Sequence, residues 1–210
     1  MAARAGARGQ RETFRDEDTI RVHPILTHGG SQVNVIPGEA RIETYVRGRT
    51  FEGIADAARK VDRAFRAGAL ALGAHVEIET LPGYLPLACD ATMTRYFREN
   101  AGALVGAEHY REVGHRTGST DMGDLSQIMP VLHPYMEGAR GTNHAADWEI
   151  ADPVLAYVMP AKALAAMVVD MLADGGAGAR DVLAHAKPAM TREQYLAFQR
   201  ASAQRETFEG

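Results

Sequence analysis

Residues 40–47 read Ala-Arg-Ile-Glu-Thr-Tyr-Val-Arg, and Phe51, Ile54, Ala58, Val61, Phe65 and Leu72 follow at steps of three to seven. The first run alternates. Ala40, Ile42, Thr44 and Val46 share one face and Arg41, Glu43, Tyr45 and Arg47 the other, the period of a half-buried strand. The second run falls on one face of an amphipathic helix, with Gly73 marking its end. A period of two that gives way to one of 3.6 within a few residues decides the class: α/β in the broad sense, with strands and helices in one unit (α+β). Working outward, Ile20, Val22 and Leu26 read as a preceding strand in which Pro24 favours an edge or a bulge. His28-Gly29-Gly30-Ser31 is a turn, and Asn34-Val35-Ile36-Pro37 reads as strand leading into residue 40. Val76, Ile78 and Thr80 alternate against Glu77 and Glu79, giving a third strand. Strand, strand, helix, strand is the latter part of a split β-α-β-β-α-β sandwich, and one of its sheet positions is left without a partner.

Leu81-Pro82-Gly83-Tyr84-Leu85-Pro86 is a linker by its proline and glycine content. Asp90 caps a helix carrying Met93, Phe97, Ala101 and Leu104 and closed by Gly106. Ile128-Met129-Pro130-Val131-Leu132-His133 has the length and apolarity of a short buried strand. Asp152 and Pro153 open a long apolar helix from Val154 to about Ala173, kinked by Pro160 and ended by Gly175, Gly176 and Gly178. Thr191-Arg192-Glu193-Gln194 is a capping box for a last, mostly polar helix expected to run to about Arg205. Residues 1–19, small and charged without apolar period, read as a disordered arm. The expected division is therefore 1–19, 20–82 and 83–210. The pentapeptide Gln-Arg-Glu-Thr-Phe stands at 10–14 and again at 204–208; five residues are too few for a structural repeat and carry no functional weight by themselves.

Of 210 residues 46% are apolar, enough for a real core, and a net charge of -4 without a Lys/Arg stripe gives no reason to expect nucleic acid. The single cysteine, Cys89, excludes an internal disulfide and is expected to be buried and inert. The first eleven residues lack the apolar stretch of a signal peptide. Val154–Leu172 comes closest to a bilayer span but carries Lys162 and Asp170. The expectation is a cytoplasmic protein, with neither nucleic acid nor membrane as partner.

Polar chemistry concentrates between Gly118 and Asp152. Ser119, Thr120, Asp121, Asp124, His133, His144, Asp147 and the only tryptophan, Trp148, stand there among glycines. A histidine in the Gly141-Thr142-Asn143-His144 turn can offer a neutral imidazole to zinc, with Asp147 placed to hold its other nitrogen. Asn34 and Arg47 supply an amide and a guanidinium fork suited to a carboxylate. Each has a plainer reading as well: Ser119 to Asp121 as a turn, His133 and His144 as structural histidines, Arg47 as a solvated strand-end charge. His23 reads as structural, on an apolar strand face, and His28 as a turn residue near a substrate contact. His115 and Asp121 are a proton-transfer pair only if the fold brings them together.

Asn34-Val35-Ile36-Pro37 followed by Tyr45-Val46-Arg47 resembles the lid-domain signature of the zinc amidohydrolases that include aminoacylase, carboxypeptidase G and the aminobenzoyl-glutamate hydrolases. Gly118-Ser119-Thr120-Asp121-Met122-Gly123-Asp124-Leu125-Ser126 looks like the aminobenzoyl-glutamate hydrolase branch in particular, and Gly141-Thr142-Asn143-His144 is similar to the loop carrying that family's last zinc-binding histidine. The resemblance covers roughly residues 20 to 175. It implies a partial ferredoxin-like lid (dimerisation) domain over 20–82, then the C-terminal portion of a zinc-peptidase-like α/β catalytic domain. It implies His144 as a metal ligand, and Asn34 and Arg47 as carboxylate or oxyanion contacts reaching across a lid-mediated homodimer. Ser119 and Asp121 would line the substrate pocket. In the complete family enzyme zinc (or manganese or cobalt) activates a bridging water, with a glutamate as general base, to cleave the amide of a small carboxylated substrate.

This sequence departs from that pattern. None of its eight histidines has Asp two residues later, and no Glu-Glu pair occurs, so the family's first ligands and general base are not in this chain. No catalytic residue is assigned to it. One histidine cannot hold a catalytic zinc that takes three protein ligands. The expectation is that the chain alone neither binds metal tightly nor hydrolyses amides. The alternative is a non-catalytic dimerisation or ligand-binding module derived from the same family.

Overall fold

The computed structural model describes residues 14–116 and 118–210, so most of the expected N-terminal arm lies outside the described residues. The chain is of the α+β class. Strands β1 (Arg21–His28), β2 (Arg41–Arg47) and β3 (Val76–Thr80) flank helix α1 (Phe51–Leu70) in the expected order. Then come α2 (Ala91–Val105), α3 (Met122–Ile128), the two-residue strands β4 (Ala139–Arg140) and β5 (Glu149–Ile150), α4 (Met159–His185), α5 (Arg192–Ser202) and β6 (Gln204–Phe208). Two compact units result: one of residues 1–86, 115–119 and 196–210, the other of 87–114 and 120–195.

In the first unit β1 and β2 form an antiparallel hairpin with a bulge between Leu26 and His28. Pro24 sits opposite Thr44 without costing the ladder its continuity, because β1 has a neighbour on one side only. Helix α1 starts where the Thr50 hydroxyl accepts from the Gly53 amide at 3.0 Å, and it buries Ala57 and Val61. β3 does not join the hairpin. It pairs antiparallel with β6, the last strand of the chain. The final helix therefore stops at Ser202, short of the expected Arg205, and residues 204–208 are extended instead.

The second unit is built on α2 and α4. Phe97 and Ala101 of α2 pack on Ala163 and Met167 of α4, with Met93, Tyr96, Leu104, Tyr110, Leu132 and Met171 around them. Asp90 caps α2 by accepting from the Met93 amide at 2.8 Å, and Gly106 closes it at φ +92°. A π-helical turn, Val154–Val158, precedes α4. The break in α4 falls at Ala173–Gly176, where Asp174, Gly175 and Gly176 take positive φ; Pro160, two residues past the π-helical turn, does not interrupt the helical run. Beyond the break the chain turns helical again to His185. By length and composition the Val154–His185 helix is apolar enough to cross a bilayer, a property it shares with core helices of soluble proteins.

The expected strand at Ile128–His133 does not form. Ile128 ends α3, and the following residues are extended without a strand partner. Pro130 removes an amide donor from that run, whose backbone bonds include Met129 N–H to Leu125 O at 3.0 Å and Asp90 N–H to Val131 O at 2.8 Å. Val131 is nonetheless buried. Within the run only Val131 is buried, Met129 being about half exposed, so the expected buried strand fails in burial as well as in hydrogen bonding.

Candidate functional site

Asn34 lies in the loop between β1 and β2, exposed and in a turn rather than on a strand. Arg47 lies at the far end of β2, paired with Arg21. Six residues of strand separate Arg47 from Arg41 at the loop end, about 20 Å at 3.4 Å per residue. Within one copy the amide and the guanidinium therefore stand at opposite ends of the hairpin and form no common clamp. Arg47 is half-buried, and its guanidinium carbon lies 5.2 Å from the centroid of the Tyr45 ring two residues back on the same face. In the loop end, Glu39 and Arg41 pair at 2.5 Å, which holds the Glu39 carboxyl below its ordinary range. Gly29, Gly30, Ser31, Gln32, Val33, Val35 and Pro37 line an open depression there. His23, expected on an apolar face, is exposed opposite Tyr45.

Ser119 is exposed at the end of a segment belonging to the first unit. Its neighbour His115 has its imidazole pKa pushed down by burial and by the Arg49 charge. Asp121 belongs to the second unit and is exposed at the start of α3; its carboxylate accepts from the Thr120 hydroxyl at 3.1 Å. Just inside α3 lies a polar hub that sequence reasoning missed. The buried Ser126 hydroxyl donates to Gly123 O at 2.6 Å and accepts from the Ala88 amide at 3.1 Å, while buried Gln127 donates to the same two oxygens. It ties the end of the linker to α3. Cys89 beside it is exposed, not buried, because the irregular run ahead of Asp90 turns it outward.

His144 sits in the loop of the β4–β5 hairpin, exposed, at φ +65°. Asp147 does not hold its ring. Both carboxylate oxygens face the Thr142 amide, at 3.2 and 3.3 Å, so Asp147 clamps the hairpin loop itself. Gly141 is required in that loop: at φ +91° any side chain would run into the backbone of Asp147. Among the described residues, no three His, Cys, Asp or Glu side chains converge in a way that could hold a metal ion. The donor set around His144 thus does not by itself fit a catalytic zinc.

His133, half-buried, stacks on Tyr135 with centroids 5.3 Å apart, and its Nδ1 is sealed from solvent without a hydrogen-bond partner. It borders a cavity of about 300 Å³ whose other walls include Phe97, Met122, Leu132, Pro160 and Leu164. A largely apolar cavity bordered by His133 and Tyr135 is able to take a small, largely apolar group. The sequence signals for these walls were the apolar spacing of α2 and α4 and the apolar run Ile128–His133.

No family model matches the chain. It is 32% identical over 163 residues to the mouse (Mus musculus) Xaa-Arg dipeptidase, covering 73% of this chain and 38% of that protein. To the human (Homo sapiens) Xaa-Arg dipeptidase it is 31% identical over 163 residues, covering 73% of this chain and 37% of that protein. The chain thus spans well under half the length of these relatives. The similarity supports a metallopeptidase-family relationship, as the motifs do, without selecting the aminobenzoyl-glutamate branch.

Proposed function

We propose that this chain is one part of a metal-dependent peptidase that hydrolyses the amide bond of a small carboxylated substrate, an N-acyl amino acid or a dipeptide. The observation that carries the reading is the similarity to two dipeptidases over 73% of the chain. In this reading the β1–β2 hairpin and α1 are the lid, and Arg47, held over Tyr45 at the strand end, meets the substrate carboxylate. Because Asn34 stands at the other end of the hairpin, its contribution belongs to the neighbouring copy of a dimer. His144 on its exposed loop is one ligand of a zinc site whose other ligands come from further polypeptide. A catalytic zinc, when bound, polarises the scissile carbonyl and supplies a hydroxide nucleophile. The described residues do not complete its ligand set, and in this reading the chain by itself is expected to be inactive.

The test is a melting curve with and without zinc or cobalt, together with hydrolysis of a dipeptide ending in arginine. The chain alone is expected to show neither a metal-dependent rise in melting temperature nor turnover. Both are expected when it is co-expressed with polypeptide carrying a His-x-Asp and a Glu-Glu element. Turnover by the chain alone, or none by the combination, overturns the reading.

One observation favours a second reading, a non-catalytic interaction module. Leu164, Val168, Val169 and Leu172 of α4 are each more than half exposed, opposite the face that packs on α2. A helix apolar on both faces is normally covered on both. If metal and the complementing polypeptide leave melting and activity unchanged while the chain self-associates through this face, the second reading holds.

A further inference from the structure

The cavity beside His133 combines size, a hydrogen-bond donor and an absence of charge in a way that selects a ligand. Its walls come from α2, α3, α4 and the extended run 132–136, all within the second unit. Phe97 and Leu132 tie it to the α2–α4 core, and Pro160 and Leu164, one turn apart on α4, close one side. Met122 and Met136 add two adaptable thioethers. Among the described residues, none of those lining it carries a carboxylate, an ammonium or a guanidinium.

A volume of about 300 Å³ stands at the low end of small-molecule sites. It is about twice that of an apolar cavity that holds one benzene ring. A single ring with one short substituent fills such a space. The walls favour an aromatic ring, because the Phe97 ring and the methionine sulfurs make contacts that add to simple burial.

The donor is the imidazole. His133 lies against Tyr135 with ring centroids 5.3 Å apart and planes 24° from parallel, so the stack sets the plane of its ring. Nδ1 is sealed from solvent without a hydrogen-bond partner, whereas Nε2 is not sealed. One nitrogen of a neutral imidazole carries the proton and the other a lone pair. A proton on Nδ1 would be a sealed donor with nothing to receive it, the costlier of the two orphans. The proton therefore sits on Nε2, which leaves that N–H as the ring's donor for whatever the cavity holds.

Charge sets the last condition. A lone N–H donor among apolar walls meets a neutral carbonyl at little cost. A carboxylate in the same place would lose its water with no cation in return.

We propose that this cavity binds a small neutral aromatic carbonyl compound, an aryl ketone or aryl amide, with its ring among Phe97, Met122, Met136 and Leu164 and its oxygen on the Nε2–H of His133. The site stands apart from the peptidase reading, whose substrate carries a carboxylate.

The test titrates acetophenone, benzoate and toluene at neutral pH into the full-length chain labelled at its methionine methyl groups for NMR. Acetophenone shifts the Met122 and Met136 resonances, assigned through Met122→Leu and Met136→Leu, and benzoate binds about tenfold more weakly or worse. His133→Phe keeps a ring against Tyr135 and removes the donor. It weakens acetophenone about fivefold, the scale of one hydrogen bond, and leaves toluene within about twofold. Leu164→Trp, at a position more than half exposed, fills the cavity and abolishes binding of both. Benzoate binding as tightly as acetophenone overturns the proposal, as do methyl shifts confined to other methionines or no binding by any probe. Equal weakening of toluene and acetophenone by His133→Phe overturns it too, since shape rather than a donor would then be lost. So does acetophenone binding that survives Leu164→Trp. The comparison of probes on the unsubstituted chain needs no variant, so a substitution that fails to fold does not shield the proposal.

Discussion

The side-chain amide of Asn100 on α2 donates to the carboxylate of Asp170 on α4 at 2.5 Å, joining the two helices beside the Phe97–Met167 core. The same nitrogen donates to Tyr96 O at 3.1 Å, so both of its protons are taken up. This contact also explains how a charged residue is accommodated in the most apolar helix of the chain. Truncating Asn100 to Ala should cost about 1.5 kcal/mol, the usual scale of a hydrogen bond to a charged group. Asn100→Asp should cost more, since it sets two carboxylates together, while Asp170→Asn should be the mildest of the three. Urea unfolding of the three variants gives the order.

Ser126→Ala should destabilise by about 2 kcal/mol although it removes a single oxygen. The loss leaves the Ala88 amide without its acceptor and takes one of two acceptors from the Gln127 side chain. Cysteine labelling offers a second readout: Cys89, one residue on from Ala88, should react faster with a thiol reagent in the variant. An unaltered rate together with unaltered stability would mean that the hub does not hold the linker to α3.

Asp62 on α1 has its carboxyl pKa raised, by burial first and then by the Glu206 charge, with Arg66 working the other way. The folded state thus holds its proton more tightly than the unfolded chain. Stability from this group is full below the ordinary carboxylate value and is lost as pH rises through the folded pKa. At pH 7 Asp62→Asn should therefore raise the melting temperature slightly. The gain should vanish below about pH 4, near the unperturbed aspartate value. A variant equally stabilised at both pH values would assign the effect to something other than ionisation.

His144→Gly should be neutral to about 0.5 kcal/mol stabilising, since φ +65° is strained for any residue with a Cβ and the ring is exposed. Gly141→Ala in the same loop should cost well over 1 kcal/mol, through positive φ and collision with the Asp147 backbone. In the complemented assembly His144→Gly should abolish the metal-dependent rise in melting temperature while leaving the metal-free curve in place. Retention of that rise would remove His144 from the ligand set.

The local elements were largely legible in the sequence. Alternation found β1, β2 and β3, helical spacing found α1, α2 and α4, and the caps at Asp90 and Thr191 are made as written, the latter by reciprocal Thr191–Gln194 bonds. These signals are local: a cap or an amphipathic face is satisfied by residues a few positions away. The candidate site was legible only as residue types. Nothing in a linear spacing states that Asn34 and Arg47 fall at opposite ends of one hairpin, or that Asp147 spends both oxygens on Thr142.

What the sequence by itself determined is the class, the order of the strands and helices, and the kinship carried by its motifs. Tertiary structure alone decided which strand β3 pairs with, that Val131 is buried without belonging to a sheet, and that Ser126 and Gln127 of α3 form a buried polar hub. The reason is the range of the interactions. Hydrophobic period and turn chemistry act between near neighbours. A strand's partner is chosen by the register of backbone groups and a few side chains as much as 128 residues apart, as with Arg205 and Glu77.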